Sequence, residues 1–114
     1  MNEKAMTAQT GEFIYSTLGD DPDLADIVEM FVDEMPERVE VLTGFFIAKN
    51  WEELGRMAHQ LKGTAGSYGF DDLTPGAAIL DEAVRKRHSD SEISSAIDVL
   101  VDMCHRVRAG GAPY

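Results

Sequence analysis

His59 is a residue around which glycines have cleared space. It sits in the run Ala58-His59-Gln60-Leu61-Lys62-Gly63-Thr64-Ala65-Gly66-Ser67-Tyr68-Gly69, where apolar residues recur at helical spacing. At about 100° per residue, Trp51, Leu54, Ala58, Leu61, Ala65 and Tyr68 share one stripe, and His59 points nearly away from it. Gly55 lies one turn before His59, Gly63 one turn after and Gly66 two turns after, all on its side of the helix. An interior helical glycine costs roughly 1 kcal/mol relative to alanine, so three give up about 3 kcal/mol of a small domain's ~5–15 kcal/mol. The expected return is access to the imidazole for a bulky partner. An exposed imidazole has a nitrogen free to attack phosphorus at neutral pH. Lys62, three residues on, can place an ammonium beside an attached phosphoryl group. No nucleotide or magnesium pocket accompanies this pair, so the expected chemistry is to receive and hand on a phosphoryl group that a partner brings.

The other reactive residue types offer less. His59, His88 and His105 are not at metal-ligand spacing, and no cysteine or histidine pair accompanies them, so no zinc or di-iron site is expected. Cys104 falls on an apolar stripe and reads as a buried small hydrophobe rather than a nucleophile. His88 and His105 read as helix-end or surface residues, and Met30, Met35, Met57 and Met103 as core filling. Gly63, Gly66 and Gly69 lie in or at the end of a helix with no preceding strand, which excludes a phosphate-cradling loop.

The elements that must position His59 can be read along 114 residues, the length of one domain. A hydrophobic content of 44% supports a packed core. Residues 1–11 are polar and aperiodic and are expected to be flexible. Phe13, Ile14, Tyr15 and Leu18 form an apolar patch that fits a short helix laid on the core. Asp20-Asp21-Pro22-Asp23 then carries a helix-start signal, followed by Leu24, Ile27, Val28, Phe31 and Val32 at helical spacing. Pro36 opens a second helix through about Lys49, with Val39, Leu42, Phe46 and also Phe45 and Ile47 as inward candidates. Asn50 caps the third, Trp51 to about Tyr68, and Gly69 ends it. Either Asp71 or Thr74 starts the fourth, which carries Leu73, Ala77, Leu80 and Val84; Arg85-Lys86-Arg87-His88 complement its C-terminal dipole. Ser89 or Asp90 caps the fifth, with Ile93, Ala96, Ile97, Leu100, Val101 and Cys104 inward. Residues 109–114 form a glycine-rich tail expected to be flexible, and no strand is expected anywhere. Short connections favour antiparallel neighbours, so the fold class is all-α: an up-and-down four-helix bundle with an additional short N-terminal helix over residues 12–108.

A net charge of −11 argues against nucleic acid and against an anionic membrane surface as partners. The lone cysteine cannot close an internal disulfide, and the start Met1-Asn2-Glu3-Lys4 is not a signal peptide. Together these favour a cytoplasmic protein, and ordinary surface helices favour a monomer.

His59-Gln60-Leu61-Lys62-Gly63 followed by Ala65-Gly66-Ser67-Tyr68-Gly69-Phe70 resembles the signature of histidine-containing phosphotransfer (HPt) domains. The resemblance covers about a dozen residues strictly and the five-helix pattern more broadly. It implies that His59 is the phosphoacceptor through Nε2, that Lys62 stabilises the phosphoryl group, and that Gly63 gives clearance to an incoming receiver domain. It implies response-regulator receiver domains and a sensor (hybrid) histidine kinase as partners. No cofactor is expected on this chain, Mg²⁺ being held by the receiver. Family members often place a Glu or Gln on the next helix against the histidine's Nδ1. Asp81 stands there instead, and the shorter side chain leaves two readings: orientation of His59, directly or with water or Gln60, or a solvated surface acid. The docking surface around the histidine is expected to include Arg56, Gln60 and Ser67, with side chains of the second helix.

The leading function is therefore a phosphorelay carrier without its own ATP-dependent kinase activity. A receiver-docking scaffold that transfers nothing is the first alternative, against which the intact His59, Lys62 and Gly63 argue. The second is an excised domain of a hybrid or chemotaxis-type kinase; the polar start and glycine-rich end favour a free-standing protein instead.

Overall fold

The computed structural model describes residues 12–111, in the order β1 (Ile14–Tyr15), α1 (Ala25–Asp33), α2 (Met35–Ile47), α3 (Trp51–Ser67), α4 (Leu73–Arg85), α5 (Asp90–Arg106) and β2 (Val107–Arg108). Helices α2 to α5 close a four-helix bundle in which α3 packs between α2 and α4, and α5 between α4 and α2. The shorter α1 is the additional helix and lies against α2 and β2. The expected flexible segment 1–11 and the last three residues of the expected tail lie outside the described residues. No helix among the described residues is long and apolar enough to cross a membrane.

The apolar stripes become the core. Leu54, Ala58, Leu61 and Ala65 of α3 are buried, as are Leu73, Ala77 and Leu80 of α4 and Ile93, Ala96, Ile97, Leu100 and Cys104 of α5. Phe31 of α1 stacks on Tyr68 and Phe70, with ring centroids 5.0 and 5.3 Å away, and so ties α1 to the end of α3. Local signals fix where the helices begin and end. Asn50 accepts the Glu53 N–H at the start of α3, and Ser89 and Glu92 form a reciprocal capping box at the start of α5. At the end of α3 the Phe70 N–H donates to Ala65 O and the Gly69 N–H to Gly66 O, the paired bonds of a Schellman turn. Gly69 takes φ +82° there, as that turn requires. The same paired bonds end α2 and α4, but with Lys49 (φ 57°) and Arg87 (φ 58°) in the left-handed position.

Several expectations are corrected. The patch Phe13–Leu18 is not a helix: Ile14 and Tyr15 form a strand paired in parallel with Val107 and Arg108, so strands are present after all. Its partner is at the far end of the chain, which no local pattern reveals. The first helix starts at Ala25 rather than at Pro22, because Asp21 Oδ1 accepts the Asp23 N–H and holds a turn instead. Met30 and Ile47 are exposed, not core filling, and so is much of Ile27. Met35 is buried, while Met57 and Met103 are half-buried.

Candidate functional site

Helix α3 presents His59 to solvent with 70% of its side chain exposed. Its neighbour across the helix interface is Asp81 of α4, which is only 7% exposed. Asp81 Oδ2 lies 3.4 Å from His59 Nδ1 and 3.4 Å from Lys62 Nζ, both at the long end of hydrogen-bond range. A carboxylate only accepts, so the contact with Asp81 requires the proton on Nδ1. That tautomer leaves the lone pair on the outward Nε2. The Asp81 side chain is thus buried rather than solvated and lies within reach of both His59 and Lys62. Gln60 is exposed on the outer face and bonds to neither His59 nor Asp81 among the described residues.

The α3–α4 contact that brings Asp81 within reach depends on small residues. A Cβ added to Gly55 would stand 3.2 Å from Val84 Cγ1, so this glycine makes room for α4 and not for a partner. A Cβ on Gly66 would make ordinary contact with Asp71 and Thr74. Only Gly63, among the three glycines near His59, faces open space. The shared clearance expected of all three is thus corrected: one faces outward and the others line the approach of α4. The backbone of Lys62 is also tied across this interface, its carbonyl accepting the Thr74 hydroxyl at 3.4 Å.

Of the residues expected on the surrounding surface, Arg56 pairs with Glu53 at 2.9 Å, and the Ser67 hydroxyl donates to Gly63 O at 3.2 Å. Beside the site, between the start of α3 and the end of α4, runs a groove of about 780 Å³ bordered by Arg56, Arg85 and Arg87 and reaching Asp81. Arg85 and Arg87, expected only to complement the dipole of α4, thus also border a groove beside His59. Both are exposed at the C-terminal end of α4, and nothing along that helix alone shows that the start of α3 lies beside them.

Cys104 is 3% exposed, and burial pushes its thiol up to about 12 against a smaller opposing pull from the Arg38 guanidinium. This is an inert thiol, as its place on the apolar stripe implied.

A family model described as Hpt domain matches residues 26–110, which span α1 through β2 and include His59, Lys62, Gly63 and Asp81. No curated protein and no solved structure matches the chain. With most of its length covered by that family, and the four-helix bundle the family uses, the chain belongs to the Hpt domain proteins, phosphocarriers that work with the histidine kinases and receiver domains of two-component phosphorelays.

Proposed function

We propose that His59 is the phosphoacceptor of this chain, taking a phosphoryl group from a receiver-domain aspartate or a kinase and passing it to a response-regulator aspartate. The observation that carries the reading is the juxtaposition at α3–α4: an exposed imidazole whose Nδ1 faces a buried carboxylate, so that Nε2 points outward with its lone pair. In the transfer, Nε2 attacks phosphorus in line, the P–O bond to the donor aspartate breaks, and that carboxylate leaves with the bond pair. Positive charge develops on the ring as the N–P bond forms, and Asp81 offsets it from the Nδ1 side. Lys62, already beside Asp81, is placed to pair with the phosphoryl oxygens. Gly63 leaves the receiver's approach unobstructed. Mg²⁺ held by the receiver would supply the remaining neutralisation of phosphoryl charge, and the reading asks of this chain neither a cofactor nor ATP-dependent kinase activity of its own.

The carrier acts as a monomer in the cytoplasm, where the lone buried thiol stays reduced. The test is labelling: with a phosphorylated receiver or kinase as donor, the wild type acquires acid-labile phosphate and His59→Gln does not. Equal labelling of His59→Gln would overturn the assignment.

A further inference from the structure

The groove beside His59 contrasts with the rest of the molecule. The chain carries a net charge of −11, yet two of its ten Lys and Arg residues, Arg85 and Arg87, stand on this rim with no carboxylate partner among the described residues. The other charges nearby are engaged: Arg56 with Glu53 at 2.9 Å, Asp90 with Lys49 at 2.9 Å, and Asp81 with Lys62. Glu52 is the one further acid on the lining. The floor is apolar, with Trp51, Val84 and the buried Ile93, and Gly55 keeps it low. Trp51 is held edge-on by Phe46 at 5.8 Å and remains half-buried, one face toward the groove. An apolar floor under two unpaired guanidiniums fits a peptide segment that carries carboxylates around an apolar side chain.

We propose that this groove seats an acidic, apolar-tipped segment of the receiver partner, Arg85 and Arg87 pairing with its carboxylates while Trp51 covers its apolar side chain. The inference rests on the carrier reading of His59, because it makes the groove part of the same docking event. Charge complementarity selects this occupant. An acidic partner approaching so acidic a chain is repelled over most of its surface, and the uncompensated guanidiniums mark where approach is favoured. The groove then contributes to which receivers are served, while His59 and Lys62 do the transfer.

Trp51 is the chain's only tryptophan, so 5-fluorotryptophan incorporated there gives a single resonance from the groove's floor. The full chain is titrated by ¹⁹F NMR with isolated receiver domains encoded in the same genome. The expected result is a Trp51 resonance shift with those receivers that take label from phosphorylated wild type. Arg85→Glu/Arg87→Glu is expected to weaken their binding by about tenfold or more at low salt and to flatten its salt dependence. Phosphorylation of His59 by phosphoramidate, a small donor that needs no groove, should be unchanged in that variant, and His59→Gln should keep the Trp51 shift. Receivers that take label without moving the Trp51 resonance, or that bind the double variant equally well, would overturn the groove and leave the carrier reading standing. Neither label transfer nor a shift with any receiver would overturn both.

Discussion

Gly63 and Gly55 are the same residue type on one face of one helix, yet they answer to different neighbours. Gly63→Ala adds a methyl group into open space and removes a helix-weakening residue, so the fold should gain about 0.5–1 kcal/mol in thermal or denaturant unfolding. The same variant should pass phosphate to a receiver more slowly, because the added methyl stands where the partner approaches. Gly55→Ala should show no such gain, since Val84 must first give way. Asp81 permits a finer separation. Asp81→Asn keeps an acceptor for the Nδ1–H but loses the charge, and should slow transfer to and from His59 about tenfold; Asp81→Ala should cost more. Transfer rates at saturating partner measure this, and ¹⁵N shifts of the His59 ring report whether Nδ1 still holds the proton. Loss of packing alone would leave that tautomer signal unmoved.

Among the elements, most of what the structure keeps is local, although the Asp21 turn that delays the first helix to Ala25 is local too and its aspartate looks like a cap. The 3.6-residue stripes of α3, α4 and α5 depend only on neighbouring turns, as do the Asn50 cap and the Ser89–Glu92 box. Three features depended on contacts across the fold. β1 has two residues and a partner at the other end of the chain, so no alternation or turn marks it. The purpose of a glycine beside His59 depends on how close α4 comes, and spacing along one helix is silent on that. The reach of Asp81 to His59 was undetermined for the same reason. The helix ends supply a prediction of their own. Arg87 holds a left-handed conformation that glycine adopts without penalty, so Arg87→Gly should stabilise the fold by about 1 kcal/mol in chemical denaturation while weakening receiver binding at the groove. At the end of α3, Gly69→Ala should destabilise by at least about 1 kcal/mol, because its φ is +82° and its new Cβ would collide with Ser16 Oγ.

For the whole molecule, Cys104 serves as a gauge of global opening. Buried and with its thiol raised to about 12, it should resist alkylation in the native state and react at the rate at which the bundle unfolds. The sign of its pH effect follows from the raised value. Its contribution to stability is complete below the ordinary thiol value of 9.0 and is lost as pH climbs toward 12. Between about pH 8 and about pH 10.5, wild type should therefore lose more stability than Cys104→Val in urea titrations.

The parallel sense of β1 and β2 also governs how the chain passes through this bundle. Ile14 lies beside Val107 and Tyr15 beside Arg108, and farther along the two segments still run together, Gly19 beside Gly110 and Asp20 beside Gly111. The segments entering and leaving the bundle thus share one edge and one heading, with the helices looped out between them. The described chain thus enters at one pole of that edge, at Glu12, and leaves at the opposite pole, at Gly111. Within the described residues the chain therefore runs through this bundle as through a bead on a string, entering and leaving in the same direction, and not as a hairpin bend.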